Sequence, residues 1–503
     1  MGLYPWWASP DLKLAFFRPL ASLWIAFDHR VLGGEPWAAH LGNVLAYAGL
    51  GLVVGKLYGR LLGGATAGLA MILYVIDDAR ALPILWASNR HAIVSALFGF
   101  AALYAHIRER RAAAVILFGA ALAAGESAFG AAAYFVAYAA FADPRGRAAA
   151  FRRLIPYTCV IVVWAALYVA LEYGVQGSAG YIHPSKDPLR FVVAVFERAP
   201  QIVLAQLFGP PAEMWELLPR DQQRYTPLVV VPLSLGLSWL LFRAARGHRL
   251  RAFFTAGALL SIPPFPADRM LVFPGFGAFG LLAIAIGRVG RARLEGRGRA
   301  LATAVAGFAL FVHGVVAPVL LPLREKQTDQ IFSGAVRRGA ASIPTDPALG
   351  DQRLFVIVAP DPLMTSYMFL DRLYAAGDLP YAREGRVLGV LQKGVAIIER
   401  DGPRSFVLRA SEGQLFGDLF SKVYREKPFE AGEASRAGDF TATVVALDEA
   451  GYPSAVRFEL DGPIDGSFRW LVWKHRGFEE IALPAVGASL EVPAVDWMTA
   501  YGP

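Results

Sequence analysis

The chain has 503 residues, of which 55% are hydrophobic and 18% charged, and its formal net charge is +8. A soluble domain is about 25% charged on average, so this composition excludes an ordinary soluble protein. The basic residues sit between long apolar runs, a pattern of membrane topology and not of a nucleic-acid-binding surface. Arginine outnumbers lysine about five to one, the usage of a GC-rich bacterial genome. Cys159 is the one cysteine and excludes an internal disulfide. The opening MGLYPWW lacks the basic-then-apolar pattern of a secretory signal.

In chain order, residues 11–31 are amphipathic and interrupted by Lys13, Arg18, Asp28, His29 and Arg30. They read as an interfacial segment, with Tyr4, Trp6 and Trp7 at headgroup level. Ten apolar stretches follow, at 37–55, 61–76, 87–107, 112–124, 127–142, 154–173, 226–243, 251–264, 270–287 and 300–321. A helix needs about 20 apolar residues to cross about 30 Å of hydrocarbon, and local thinning accommodates shorter ones. Gly125-Glu126-Ser127 divides 112–142 into two spans, because a glutamate at mid-bilayer is costly.

Alternate connections are basic. They carry Lys56 and Arg60; Arg108, Arg110 and Arg111; Arg145, Arg147, Arg152 and Arg153; Arg243, Arg246, Arg249 and Arg251; and Arg288, Arg291, Arg293, Arg297 and Arg299. The remaining connections are acidic or mixed. The positive-inside rule places the basic set in the cytoplasm. It places residues 1–36, the 174–225 connection and everything past 325 outside. A single span over 112–142 would invert all that follows. Within 174–225, residues 190–208 form an amphipathic stretch that lies on or re-enters the membrane and ends at Pro210-Pro211.

Beyond 325 the composition becomes that of a soluble protein. A strand-like run from Arg353 to Val358 leads into a helical run from Pro362 to Ala376. Strand-like runs follow near 386–391, 395–399, 440–447, 453–460, 467–474 and 478–483, with a hairpin turn at Asp448-Glu449-Ala450-Gly451. The expected fold is an α-helical polytopic bundle of about ten transmembrane helices with a C-terminal, mostly β (α+β) soluble domain. Its parts are an interfacial segment 1–36, a membrane domain 37–321 and an extracytoplasmic domain 325–503.

Polar residues collect on the outer connections. Asp77 and Asp78 could bind a divalent cation such as Mg or Mn, or serve as loop charges and a helix cap. Arg18 and Arg269 could hold a lipid phosphate, or snorkel to headgroups. His40 and Asn43 share a helix face at i, i+3 and so face either a cavity or a neighbouring helix. Arg90 starts a span beside Asn89 and His91. Glu126 is a ligand contact or a solvated turn, and His183 a loop residue. No zinc spacing, nucleophile elbow or phosphate-binding glycine loop is present.

Taken together, several of these segments resemble the GT-C superfamily of membrane glycosyltransferases, in its bacterial, protein O-mannosyltransferase-like branch. Phe16-Phe17-Arg18-Pro19-Leu20 followed by His40-Leu41-Gly42-Asn43 resembles the stretch after that family's first outer loop. Ile84 to Arg90, Gly125-Glu126-Ser127-Ala128, Gly177 to Tyr181 and Ala267-Asp268-Arg269 resemble later outer-loop motifs, so the likeness covers about residues 14–290. It implies transfer of a sugar from a polyprenyl-phosphate donor to an extracytoplasmic protein or glycan acceptor, at the bacterial cytoplasmic (inner) membrane. It also implies that Arg18, His40, Arg90, Glu126 and Arg269 bind substrate and that Asp77 and Asp78 bind metal. The family's catalytic acidic motif, on a first outer loop after a first helix, has no counterpart upstream of Arg18 in this sequence. The resemblance therefore leads us to expect an apolar span and an acidic loop encoded before Met1, and no catalytic residue is assigned here. A non-catalytic membrane protein that binds a lipid carrier or acts as a scaffold is the alternative. A transporter fits less well, since neither an inverted repeat nor a broken midplane helix is visible.

Overall fold

A computed structural model describes residues 4–182, 184, 186–215, 218, 220–289, 297–345, 352–376 and 385–502. His183, Arg291 and Arg293 fall outside these. The chain divides into two compact units: a helical one, Ala15–Gly174 with His183–Glu325, and a second made of Met1–Leu14, Val175–Ile182 and Lys326–Pro503.

In the helical unit each expected apolar stretch is a helix: Pro36–Leu61, Gly64–Val75, Arg90–Ile107, Arg111–Ala124, Phe129–Phe141, Ile155–Ala170, Thr226–Ala244, Arg251–Leu260, Val272–Val289 and Arg297–Phe311. Six helical segments are long and apolar enough to cross a membrane: Pro36–Leu61, Ala87–Ile107, Arg147–Ala170, Thr226–Ala244, Val272–Val289 and Thr303–Ala341. Gly64–Val75, Arg111–Ala124 and Arg251–Leu260 are shorter apolar helices. The helix Arg111–Ala124 is capped by Gly125, and Glu126 begins a short 3-10 turn, Glu126–Ala128, so 112–142 is broken at Gly125-Glu126. Pro188–Leu207 is a helix capped by Asp187, whose carboxylate accepts from the Arg190 backbone N–H.

Small residues let the helices approach closely. A Cβ on Gly257 would stand 2.1 Å from the Tyr134 ring, and one on Gly277 2.3 Å from the Phe254 carbonyl. Without a hydrophobic drive between helices in lipid, such close packing and interhelical hydrogen bonds hold a bundle together. Tyr134 supplies both, because its hydroxyl donates to the Phe273 carbonyl and accepts from the Gly277 N–H, each at 2.8 Å.

The second unit contains a four-stranded and a six-stranded sheet. In the four-stranded one the order is Gly477–Ile481, Phe468–Lys474, Arg353–Ala359, Gly385–Val390. Its last three strands run parallel, and Pro362–Ala376 is the crossover helix between Arg353–Ala359 and Gly385–Val390. Asp361 starts that helix, accepting from the Met364 N–H at 2.8 Å, and burial pushes its carboxyl up to about 7. The six-stranded sheet is antiparallel, in the order Ser489–Pro493, Val395–Glu399, Ser405–Ala410, Pro453–Leu460, Phe440–Leu447, Ala434–Ala437. The expected hairpin turn is present, with the Asp448 carboxylate accepting from the Ala450 and Tyr452 N–H groups and Gly451 at φ +81°.

The chain start corrects the sequence reading. Trp6 and Trp7 do not lie at headgroup level, and residues 1–36 are not one segment. Met1–Leu14 belongs to the β-rich unit. Trp6 donates to the Leu388 carbonyl at 2.8 Å, its own carbonyl accepts from Ser435 Oγ, and Trp7 packs on Phe416 at 4.3 Å between ring centroids. Short strings such as YPWW carry no period, so the sequence showed aromatic residues but not what they pack on. The same unit takes in Val175–Ile182, where the Ala179 N–H donates to the Lys422 carbonyl at 3.0 Å.

A topological consequence follows. Three stretches that form one compact unit lie on one side of any bilayer the helices cross, so the number of crossings between each pair is even. Of the six long helices, three lie between residues 14 and 175 and two between 182 and 326, and Thr303–Ala341 extends past 326.

Because Trp7 is 1% exposed, Trp7→Ala should cost about 3–5 kcal/mol, as for a buried tryptophan in a packed core. In the full chain in detergent, the urea midpoint for protease resistance of residues 352–502 should fall. Trp37→Ala, at a 66% exposed position, should leave it unchanged. Equal midpoints for Trp7→Ala and wild type would contradict the placement of Trp7.

Candidate functional site

Three groups of polar residues in the helical unit contain the expected site residues other than His40. The first surrounds Arg90, which is 2% exposed. Its guanidinium donates to Asp28 Oδ2 and Asn43 Oδ1, each at 2.5 Å, and to the Ala39 carbonyl at 2.7 Å, and it lies 4.9 Å from the Trp24 ring. Asn43 also donates to the Ile84 carbonyl at 2.9 Å. A charge buried in this way is stable only when paired and hydrogen-bonded. Arg90 thus ties together helices Pro19–Arg30, Pro36–Leu61 and Arg90–Ile107, and its donors are spent on the protein. His40 does not join it. Asn43 is buried while His40 is exposed, so the shared face inferred from the i, i+3 spacing fails, and His40 lines no site with Arg90. Three residues subtend about 300° on a helix, which leaves enough offset for one to face in and the other out.

The second group is buried and acidic. Arg324 bridges Asp78 Oδ2, at 2.8 Å from Nε, and Asp268 Oδ2, at 2.6 Å from Nη1. Asp268 Oδ1 accepts from the Ala212 N–H, and the Asp268 N–H donates to Glu213 Oε2, both at 2.8 Å. Asp77 Oδ1 caps the 3-10 turn Asp78–Arg80 through the Ala79 N–H, and Asp77 Oδ2 lies 3.3 Å from His313 Nδ1. Burial raises the Asp78 carboxyl above its ordinary value against the opposing pull of Arg324. Burial and then the Asp268 charge raise Glu213. The two adjacent aspartates therefore turn to different cations of the chain. They do not fit a resident divalent metal, which needs several oxygens converging on one point. Among the described residues no group of three or more His, Cys, Asp or Glu is placed to hold a metal.

Arg80 adds a charge to this group. It is fully buried, 4.8 Å from the Tyr74 ring, with Asp77 the strongest of its opposite charges. Gly275 makes room for it, since a Cβ there would stand 2.0 Å from Nη2.

The third group is partly exposed. Arg18 Nε donates to Glu126 Oε2 at 2.7 Å, with both side chains a quarter exposed, and its guanidinium also lies 4.3 Å from the Phe16 ring. Arg269 lies 5.6 Å from the Trp86 ring and 5.2 Å from that of Phe265. A Cβ on Gly125 would stand 3.2 Å from His91 Cδ2, so His91 lies beside the turn that carries Glu126. The Arg18–Glu126 pair and Arg269 thus lie by the two ends of the short segment 86–91, and Asp268 joins Arg269 to the buried acidic group through the chain.

Of the expected site residues, the structure pairs Arg18 with Glu126, sets Arg269 against Trp86, links Asp78 to Asp268 through Arg324, gives Arg90 a structural clamp, and leaves His40 out. Sequence reasoning missed Arg80, Glu213, His313 and Arg324. A charged residue within or beside an apolar stretch was the available signal for His313 and Arg324; Glu213, in a long connection, offered none. No family model matches the chain, and no curated protein and no solved structure matches it.

Removing one partner of a buried ion pair costs about 3–5 kcal/mol, whereas replacing both with apolar residues recovers much of it. Asp28→Leu should therefore lower thermal stability in detergent by about that amount, and Arg90→Met combined with Asp28→Leu should restore most of it. A cost below about 1 kcal/mol for Asp28→Leu would show that Asp28 is not what holds Arg90.

Proposed function

We propose that this protein is a multi-pass membrane glycosyltransferase, with about ten spans, of the GT-C type. It takes a sugar from a polyprenyl-phosphate donor and passes it to an extracytoplasmic acceptor. What supports this reading is that residues of separate motifs lie by one short, partly exposed segment: Arg18 paired with Glu126, whose turn abuts His91, and Arg269 against Trp86. Basic residues alternate along the chain so that this patch lies opposite the Arg-rich connections. That orientation makes it the outer face of a bacterial cytoplasmic membrane.

The chemistry asks for two things. The bond between the sugar's anomeric carbon and the phosphate oxygen breaks while one to the acceptor oxygen forms. The released polyprenyl phosphate then carries negative charge, which fixed guanidinium groups stabilise. Arg18 and Arg269 fill that role, and Trp86 offers a flat apolar face to the sugar or the first isoprene unit. The acceptor's proton needs a carboxylate acting as general base. Glu126 is the carboxylate paired with Arg18, and its Oε1 makes no hydrogen bond among the described residues. A divalent cation at Asp78 would have to displace Arg324, so the reading assigns the leaving phosphate to the arginines.

The alternative is a non-catalytic protein that binds the lipid carrier at the same patch. What favours it is the engagement of Asp77, Asp78 and Asp268 in ion pairs and backbone hydrogen bonds.

Charge-assisted hydrogen bonds to phosphate contribute about 1.5–3 kcal/mol. Arg269→Glu should therefore weaken binding of a short-chain polyprenyl phosphate by about 10- to 100-fold and abolish sugar transfer in reconstituted vesicles. Binding without transfer in the wild type would select the alternative. Unchanged binding in Arg269→Glu would remove Arg269 from the site.

A further inference from the structure

We propose a second lipid site at the opposite end of the helical unit: a cleft that binds the phosphodiester head group of an anionic membrane phospholipid. The cleft holds about 840 Å³ and is lined by Leu62, Thr66, Leu69, His248, Ile284 and Arg288, with glycine and alanine between them. Its volume is in the range of small-molecule sites.

Two features separate it from an incidental gap between helices. Its lining is divided by chemistry. Leu62, Leu69, Ala283 and Ile284 supply apolar lining suited to an acyl chain, and Arg288 and His248 supply N–H donors. It also sits where the basic connections gather. Arg288 reaches the turn at Gly247, its Nη1 standing 3.6 Å from where a Cβ on Gly247 would be. That turn carries Arg246 and Arg249, both exposed. His248 Nδ1 accepts from the Leu250 N–H at 3.3 Å. A ring nitrogen that accepts carries no proton, so the neutral imidazole keeps its proton on Nε2. A phosphodiester is an acceptor-only monoanion, and it complements a guanidinium fork beside an imidazole N–H.

Basic pockets between helices on the cytoplasmic side are the places where membrane proteins hold anionic head groups. The proposal rests on the basic-inside orientation and is independent of sugar transfer. Arg269→Glu, at the other end of the unit, should leave it intact.

The test is native mass spectrometry of the full chain in detergent, with phosphatidylglycerol and phosphatidylcholine of the same acyl composition. Phosphatidylglycerol should be retained over phosphatidylcholine. Arg288→Gln should lower that retention about fivefold, the effect of one basic residue at an anionic lipid surface. Ala65→Trp, which fills the cleft without touching charge, should lower it as well, and serves if Arg288→Gln does not fold. Arg246→Gln, which removes a charge outside the lining, should change it less than twofold, on the order of exposed-charge effects. Equal retention of the two lipids would overturn the site, as would equal losses in Arg288→Gln and Arg246→Gln. Displacement of phosphatidylglycerol by millimolar inorganic phosphate would show a free-anion site and overturn the lipid occupant.

Discussion

The burial of Trp6 and Trp7 among Leu388, Phe416 and Phe458 fixes the start of the chain inside the β-rich unit. The backbone hydrogen bond from Ala179 to Lys422 fixes a second stretch there. The rest of the molecule has to accommodate both. A chain that leaves a folded unit, runs through apolar helices and returns to that unit crosses a bilayer an even number of times. The proposed ten spans, six between residues 14 and 175 and four between 182 and 326, would meet this condition only if the short helices Gly64–Val75, Arg111–Ala124, Phe129–Phe141 and Arg251–Leu260 also cross. The alternation of arginine clusters is the reason for proposing that they do.

Charge is costly inside such a bundle, and its disposition follows from that cost. Arg90, Arg324, Asp77, Asp78 and Asp268 are each met by an opposite charge or by several hydrogen bonds. These pairs join segments far apart in sequence, Asp28 to Arg90 and Asp78 to Arg324, so they fix how the helices assemble. Arg18 and Arg269 sit at the margin of this frame. The frame holds them in place, and their partial exposure leaves them within reach of an anionic ligand.

The helices were legible in the sequence because their signal is local. Each apolar run of the expected length became a helix, and the break fell at Gly125-Glu126. Strands with an alternating or strongly apolar run, such as Phe440–Leu447 and Pro453–Leu460, were equally visible. Ser405–Ala410, Ala434–Ala437 and Ser489–Pro493 were not. The first is apolar without alternation, the second is short and polar, and the third is an edge strand ending in proline. The site was legible only in part. Residue types at helix ends pointed to Arg18, Glu126 and Arg269, but which carboxylate answers which arginine is a property of tertiary packing. Spacing alone therefore left His40 between a cavity and a helix face, left Asp77 and Asp78 between a cation site and a helix cap, and gave no hint that Arg324 would bridge Asp78 and Asp268.

The most direct measurement places three single cysteines in the β-rich unit and two in the basic connections, all in a Cys159→Ser background. Asp11→Cys, Tyr181→Cys and Glu449→Cys are at exposed positions in the three stretches of that unit, and Arg108→Cys and Arg246→Cys are exposed in two Arg-rich connections. A membrane-impermeant maleimide applied to intact spheroplasts should modify the first three and reach the other two only after lysis. Labelling of Asp11→Cys and Glu449→Cys from opposite sides of the membrane would contradict the even crossing number on which the account rests.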